Sequence, residues 1–372
     1  MRLHWLTLTS FRSYSQLEWH PGPAVNVLVG PNGAGKTNLL EAIAYLGSLK
    51  SFRRAPDAAL VSHEQDRGYI RGRVGSGDAE ALIELELRVR GGRLARVNTQ
   101  RLARSADLLG HVRFVTFLPE DLDMIKRGPG ERRDFLDDTA VQLWPAAHLD
   151  QAEYDRALRQ RNAFLKQGEK DDVTLGVWDE RLSQAGGKVM ARRARTAAAL
   201  ATHLSEVHAE ISGSESPVAI GYGSRWKGEL DATISPGEFS ERLSAALVEH
   251  RRHDRDRRVT TVGPHRDEPV IVLDGHDSRH HASQGEQRTL ALALRVASHR
   301  AISDLIGRPP ILLLDDVYSE LDPQRSAALT SALPDAQTFV TTADPRDVPL
   351  TGTAWAVGDG RLDRMGGDEI HE

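Results

Sequence analysis

The sequence contains no cysteine, and this absence excludes several kinds of site. Disulfides, thiolate-bound zinc and cysteine nucleophiles all need the missing side chain. No histidine pair compensates with metal-binding spacing, because His63-Glu64 is followed by Gln, Asp and Arg. We therefore expect neither a zinc enzyme nor a cysteine-dependent one.

Long apolar runs are also missing. No stretch approaches the ~20 residues that a membrane-spanning helix needs. The N-terminal segment mixes Arg2, His4 and Arg12 with apolar side chains instead of forming the core of a signal peptide. We expect a cytoplasmic protein without membrane contact. Its 372 residues, 40% of them hydrophobic, are enough for two domains or for one domain with a large insertion.

Lysine is scarce, since only 7 of the 48 basic residues are lysine, and the net charge is −5. This balance argues against a uniformly basic nucleic-acid binder, so any contact with DNA has to come from local patches. Most of the arginines reflect a composition bias. The candidate patches are Arg88, Arg90, Arg93, Arg96, Arg101 and Arg104; Arg192, Arg193 and Arg195; and the run from His250 to Arg258, which Asp254 and Asp256 dilute.

The strongest motif is a glycine-rich loop of the form G-x-x-x-x-G-K-[ST]. It follows an apolar run at Val25–Val29 that predicts a strand, and it precedes helical spacing over Thr37–Ser48. In such a P-loop, backbone N–H groups and the helix N-terminus bind phosphates, Lys36 contacts the β- and γ-phosphates, and Thr37 binds Mg²⁺. The predicted ATP-binding residues are Gly30, Pro31, Asn32, Gly33, Ala34, Gly35, Lys36, Thr37 and Asn38.

A second motif ends the apolar run Ile311–Leu314 with two carboxylates, Asp315 and Asp316. A buried parallel strand delivers such acids at its C-terminal end, where α/β sheets bind their ligands. The pattern is typical of a Walker B strand. We predict that Asp315 holds Mg²⁺ and that Asp316 is catalytic, because it orients or polarises the attacking water.

A third motif, Ser283-Gln284-Gly285-Glu286-Gln287, precedes a predicted helix and is similar to the signature of ABC ATPases. Its more common meaning is an N-cap turn. Its position between the P-loop and the Walker B strand, followed by a D-loop at Ser319–Asp322, favours the signature. In ABC ATPases this sequence faces the γ-phosphate held by the other protomer. The resemblance therefore predicts that Ser283, Gly285 and Glu286 contact ATP across a dimer, with Ser283 catalytic beside Lys36.

Four further strings identify a narrower resemblance. They are Phe117–Leu122, Arg132–Asp137, Val262–Asp267 and Leu314–Asp322. Together with the ATPase motifs, they make the chain from Leu3 to about Asp344 resemble the RecF family of bacterial DNA-repair ATPases.

The resemblance implies a slow, DNA-stimulated ATPase whose ATP-bound homodimer clamps DNA and releases it on hydrolysis. It also implies work at gapped DNA or stalled forks, with RecR as a partner and with RecO and RecA downstream. Two features depart from the wider ABC pattern. Thr342-Ala343-Asp344 stands where many members have a switch histidine. No clear Q-loop glutamine follows the antiparallel sheet, for which Gln100 is a poor substitute and Glu120 a moderate one.

The predicted fold is α/β. It comprises a P-loop ABC-type ATPase lobe from residues 1–118 and 256–372, with an antiparallel β-subdomain, and a mainly helical lobe inserted at 119–255. Breaks in the helical pattern are expected near Pro145, near Gly186 and over 212–223. Two alternatives remain: an SMC-like chromosome-structuring ATPase, which would need a long heptad arm, and the nucleotide-binding subunit of a transporter.

Overall fold

The computed structural model describes residues 1–76, 79–168, 171–224, 226 and 228–366. The chain forms two compact units. The first unit combines 1–123, 207–214 and 288–372, and the second combines 124–206 and 215–287. The division at residues 118 and 255 stays a prediction, because compactness alone does not define a functional domain. Among the described residues, no helix is both long enough and apolar enough to cross a membrane.

The strands are β1 (Arg2–Phe11), β2 (Tyr14–Trp19), β3 (Val25–Val29), β4 (Arg67–Ser76), β5 (Ala79–Arg88), β6 (Arg93–Val97), β7 (Gln100–Arg101), β8 (Phe114–Phe117), β9 (Val218–Ser224), β10 (Gly228–Glu229), β11 (Glu268–Leu273), β12 (His276–Asp277), β13 (Ile311–Asp315), β14 (Thr338–Thr342), β15 (Thr353–Gly358) and β16 (Arg361–Arg364). The α-helices are α1 (Lys36–Ser48), α2 (Pro129–Leu143), α3 (Ala147–Gln167), α4 (Asp172–Ser212), α5 (Pro236–Arg257), α6 (Ser278–His281), α7 (Gln284–Ile306) and α8 (Pro323–Ala332).

A largely parallel sheet forms the centre of the first unit, with the strand order β16-β15-β3-β14-β13-β8. Only β16 runs antiparallel to its neighbour. Every residue of β13 and β14 is buried, which explains the apolar run Ile311–Leu314 in β13. Because the carboxyl ends of parallel strands meet at one edge, Val29, Asp315 and Thr342 end their strands there. The predicted P-loop and Walker B acids therefore share this edge.

The first unit also contains an antiparallel sheet with the order β2-β1-β4-β5-β6-β7. Ile83, Leu85 and Leu87 are buried on β5, as their alternation with polar residues predicts. The hairpin expected at Gly91-Gly92 joins β5 to β6. The α/β fold with an antiparallel subdomain is thus confirmed.

The second unit packs helices with a small antiparallel sheet of order β10-β9-β11-β12. The expected helix break near Gly186 is wrong, because α4 continues through it for 41 residues. A Cβ atom on Gly187 would lie 2.4 Å from the carbonyl oxygen of Pro236 and 2.7 Å from the amide nitrogen of Ser240. Glycine here serves the close approach of α4 and α5 and does not end the helix.

Candidate functional site

The P-loop connects β3 to α1 and folds around the ammonium group of Lys36. That side chain donates hydrogen bonds to the carbonyl oxygens of Gly30 at 2.6 Å and Pro31 at 3.0 Å. Burial lowers the pKa of Lys36, and the charges of Asp316 and Asp315 partly oppose this shift. The loop therefore holds a poorly hydrated cation, which suits contact with phosphate oxygens.

Two glycines of the loop have no room for a side chain. Gly35 adopts a φ of +107°, and a Cβ atom there would lie 2.8 Å from the Tyr14 hydroxyl oxygen. That hydroxyl donates a hydrogen bond to the Gly35 carbonyl at 3.1 Å. A Cβ atom on Gly30 would lie 2.3 Å from the carbonyl oxygen of Val357. The motif's first and last glycines are thus required by the packing of β2 and β15.

The N-terminus of α1 is suited to an anion. Gly35 is the N-cap residue, and no side chain caps the helix there. The first N–H groups of a helix have no partner within it and carry its positive dipole end. The side chain of Asn38 is directed to Ser13, whose hydroxyl it contacts at 2.9 Å. Its predicted ATP contact would therefore come from the backbone.

Asp315 lies beside the P-loop at the end of β13. It accepts hydrogen bonds from the hydroxyls of Thr37 at 2.8 Å and Thr341 at 2.7 Å. Burial raises the pKa of Asp315, the two hydroxyls oppose this, and the charges of Asp316 and Glu120 add to it. The structure thus brings together the two residues predicted to bind Mg²⁺.

Thr341 links the two Walker B acids, and the sequence analysis did not identify it. Its hydroxyl donates to Asp315 and accepts from the backbone N–H of Asp316 at 2.9 Å. Asp316 is half-buried and has a φ of +50°, which turns the chain away immediately after the strand. The next strand's threonine thereby fixes the positions of both acids. The sequence signal that could have identified this residue is a threonine one position before the end of β14, the strand beside β13.

The donors at this edge fit Mg²⁺ held jointly with a nucleotide. Among the described residues, no group of three or more His, Cys, Asp or Glu side chains could hold a metal by itself. Mg²⁺ usually takes one or two protein oxygens and completes its shell with phosphates and water. The adjoining oxygens of Thr37 and Asp315 match that requirement.

The signature residues form the N-terminal cap of α7 in the second unit. The Ser283 hydroxyl accepts from the Glu286 N–H at 3.3 Å, and the Glu286 carboxylate accepts from the Ser283 N–H at 2.7 Å. This reciprocal pair is a capping box. Ser283 is exposed, and its hydroxyl proton remains available for donation. Gly285 lies in the first turn between them.

Thr342 and Asp344 form a closed turn where many ABC ATPases have a histidine. The Thr342 hydroxyl donates to the Asp344 carbonyl at 2.8 Å and accepts from its N–H at 3.1 Å. The Thr342 carbonyl accepts from the Gly30 N–H at 3.3 Å. This residue therefore supports the P-loop through its backbone.

Several arginines of the candidate DNA patches are engaged within the protein. Arg193 is buried, and it donates to both carboxylate oxygens of Asp137 at 2.7 and 2.8 Å and to the Pro264 carbonyl at 2.6 Å. The expectation of a free cationic face is wrong for this residue. Ion pairs also join Arg88 to Glu86, Arg93 to Asp57, Arg104 to Asp107 and Arg192 to Asp150.

Two of the four family-specific strings meet in the second unit. Arg133 donates to the Asp267 carbonyl at 3.0 Å, and the Asp267 carboxylate accepts from Tyr222 at 2.8 Å and from Trp226 at 3.0 Å. His265 contacts the Tyr154 hydroxyl at 2.6 Å. These contacts are internal, so the strings are explained by packing of the second unit.

The family model described as the RecF/RecN/SMC N terminal domain matches residues 2–351. A protein of Kineococcus radiotolerans named DNA replication and repair protein RecF is 40% identical over 94% of each chain. A protein of Streptomyces avermitilis with the same name is 40% identical over 98% of this chain and 100% of its own.

Solved structures agree. A structure of the recombination mediator protein RecF with ATP, in the RecFOR pathway, has a TM-score of 0.88 and 32% identity over 98% of this chain and 97% of that chain. An Smc head bound to a domain of ScpA has a TM-score of 0.52 at 18% identity over 98% of each chain, which shows a shared fold alone.

Proposed function

Because this chain belongs to the RecF family, we propose that it is an ATPase of DNA replication and repair that works in the RecFOR recombination pathway. The observation that carries the proposal is the contact of Thr37 with Asp315, which joins the P-loop to the Walker B strand. Full-length similarity to proteins named for DNA replication and repair supports the biological role.

ATP is proposed to bind along Gly30–Asn38, as the sequence predicts. The uncapped N–H groups of α1 would receive the phosphates, and the desolvated ammonium group of Lys36 would neutralise their charge. Thr37 and Asp315 would hold Mg²⁺, which supplies positive charge to the β- and γ-phosphate oxygens. Both residues are already in contact, so the ligand set is preformed.

Asp316 is proposed to orient the attacking water, because it follows Asp315 at the carboxyl edge of the sheet. The bond from its N–H to Thr341 fixes its backbone. Lys36 and Ser283 would stabilise the negative charge that develops on the transferred phosphoryl group. Unlike Ser283, Glu286 would not stabilise this charge with its side chain. Its carboxylate already accepts a hydrogen bond in the capping box, and its negative charge repels phosphate.

A second protomer is proposed to complete each ATP site. Ser283 is exposed at the N-terminus of α7, where its hydroxyl and the Gly285 N–H can meet the γ-phosphate bound by the Lys36 of another copy. Isolated monomers should therefore hydrolyse ATP poorly, and ATP should drive dimerisation.

Mixing two inactive variants tests the shared site. Lys36→Met removes the phosphate contact in one copy, and Ser283→Arg blocks the signature of the other. Partial recovery of ATPase activity in the mixture is the expected result if one intact composite site suffices. Strong activity of either variant alone would refute the composite site. Light scattering with and without ATP-Mg²⁺ reports dimerisation separately.

DNA binding is proposed to depend on the ATP-bound dimer, with hydrolysis releasing the DNA. RecR is the proposed partner, and RecO and RecA act downstream. Fluorescence anisotropy with duplex DNA, with and without ATP-Mg²⁺, tests the first step on wild type and on Lys36→Met. If ATP drives binding and the variant loses it, the proposal is supported. If wild type ignores DNA in every nucleotide state, the repair role fails and the ATPase remains.

The two alternative functions gain no specific support. The likeness to SMC heads is one of fold, and it assigns no chromosome-structuring role. The transporter-subunit hypothesis has no relative among the similar proteins described above. A cytoplasmic location is proposed together with the DNA-repair role.

A further inference from the structure

A groove in the second unit is lined along one side by α5. Its volume is about 470 Å³. Four basic side chains from α5 line it, together with Trp226 and Arg266 from outside that helix. The helix residues are Arg242, His250, His253 and Arg257.

These four residues form one stripe on the helix. Their spacing, from position 242 through 250 and 253 to 257, repeats at three to four residues or a multiple of that, which places them on one face. The stripe extends over 15 residue steps, from 242 to 257, or about 22 Å at ~1.5 Å per residue. Glu249 is the one acidic side chain among the described residues that line the groove. The chain is negative overall, so this groove is a local exception.

The acids that dilute this segment in the sequence do not face the groove. Asp254 is fully buried and accepts a hydrogen bond from Arg161 at 2.7 Å. Asp256 is exposed but does not line the groove. Folding therefore separates the charges of the segment. Asp254 and Asp256 lie between basic residues in the sequence, but they do not share the face of α5 that lines the groove.

Two of the arginines have their charge available. Arg242 instead forms an ion pair with Glu238 at 2.6 Å. Arg257 and Arg266 are exposed, and their side chains form no ion pair within 4 Å of any described residue. In the same helix, Arg251 and Arg255 are instead bonded to acids of α4. Arg266 is fixed by a turn, in which its N–H donates to the Gly263 carbonyl at 2.8 Å. The groove thus presents guanidinium groups from two separate elements.

From this arrangement we infer that the groove binds the phosphodiester backbone of DNA. Guanidinium groups pair well with phosphate oxygens, and the imidazoles of His250 and His253 can donate hydrogen bonds to them, so the stripe can contact a strand without reading its bases. A stripe of about 22 Å covers roughly six nucleotides at ~3.4 Å per nucleotide along one strand. The Trp226 ring is held by its bond to Asp267 at 3.0 Å, and it forms a wall of the groove. Contact is electrostatic, so it depends on salt and not on sequence.

The inference rests on the proposed DNA-binding function. The salt dependence of binding, compared between wild type and a groove variant, tests the groove separately from DNA binding itself. The test variant is Arg257→Gln/Arg266→Gln in the full-length protein with ATP-Mg²⁺. The matched control is Arg252→Gln/Arg156→Gln, which removes the same charge from exposed positions outside the groove. Anisotropy is measured with duplex and with single-stranded oligonucleotides between 50 and 200 mM salt. Thermal unfolding and ATPase activity confirm that each variant is folded.

Loss of two phosphate contacts predicts a definite change. The slope of log affinity against log salt should become shallower by about 1.8 for duplex or roughly 1.4 for single strands. Wild type should then lose about twelvefold more duplex affinity over this salt range than the variant does, or about sevenfold more for single strands. The control should keep the wild-type slope. The form of DNA whose slope changes by its own expected amount is the form that the groove binds.

Two results would overturn the inference. If wild type binds DNA and the groove variant keeps its affinity and slope, DNA lies elsewhere and the proposed function stands. If wild type binds no DNA in any nucleotide state, both the groove inference and the repair role fail.

Discussion

Replacing Thr341 with valine should weaken the ATPase site without altering any predicted catalytic residue. The hydroxyl is buried, donates to Asp315 at 2.7 Å and accepts from the Asp316 N–H at 2.9 Å. Valine keeps the shape of the side chain and loses both bonds. Asp315 then has one donor fewer, and a backbone N–H loses its partner.

The magnitude follows from these two bonds. A hydrogen bond to a charged group contributes about 1.5–3 kcal/mol, and an ordinary one contributes about 0.5–1.5 kcal/mol. The added methyl group offsets about 0.8 kcal/mol. A net loss of about 2.5 kcal/mol lowers Tm by roughly 5–10 °C at ~2–4 °C per kcal/mol, the slope for domains of about 150–250 residues. The first unit falls within that size range.

The pH dependence of ATP hydrolysis separates a positioning role from simple destabilisation. The Thr341 bond lowers the pKa of Asp315 against the larger effect of burial, so its removal raises that pKa further. Hydrolysis needs the ionised carboxylate to hold Mg²⁺. The acidic limb of the pH–rate profile should therefore move to higher pH in Thr341→Val.

Thr341→Ser is the matched control, because it keeps the hydroxyl and removes only a methyl group. It should restore the wild-type pH profile while losing some stability. Differential scanning calorimetry and a coupled ATPase assay measure the two effects. A Thr341→Val protein with wild-type Tm and an unmoved acidic limb would refute the reasoning.

Three other perturbations have definite expectations. Gly35→Ala combines a φ of +107° with a Cβ 2.8 Å from the Tyr14 hydroxyl, so fluorescent ATP should bind at least about tenfold more weakly, for a strain of ~1.4 kcal/mol or more. Arg161→Met leaves the buried carboxylate of Asp254 unpaired and should cost about 3–5 kcal/mol in urea unfolding. Burial lowers the pKa of His265 from 6.5 to about 4. Because the unfolded chain takes up the proton first, about 3 kcal/mol of stability should be lost as pH falls from 6.5 to 4, and His265→Gln should flatten that dependence.

The chemistry of the site was predictable because it depends on local sequence. A strand, a glycine-rich loop and a helix are adjacent in the chain, so Val25–Ser48 could be interpreted as one unit. Placing Asp315 and Asp316 beside the P-loop required only the rule that parallel strands share a carboxyl edge. The RecF resemblance was confirmed by full-length relatives.

Features that depend on distant contacts were not predictable. Nothing in the sequence distinguishes Thr341 from other threonines, because its role depends on the pairing of β14 with β13. Arg193 has helical neighbours that suggest a cationic face, yet its partner Asp137 is distant in sequence. Asp254 suggested dilution of a basic segment until its burial against Arg161 was known. In each case the polar side chain is visible in the sequence, and its direction and partners are set by packing.

The position of β3 in the sheet determines when a growing chain can fold. Its two neighbours are β14 and β15, where Val29 pairs with Thr342 and Ala356. During translation at ~5–20 residues per second, β3 waits roughly 15–60 s for these partners. The P-loop, whose Gly30 packs against Val357, cannot take its final shape earlier. Ribosome-bound nascent chains truncated before β14 should therefore fail to retain ATP.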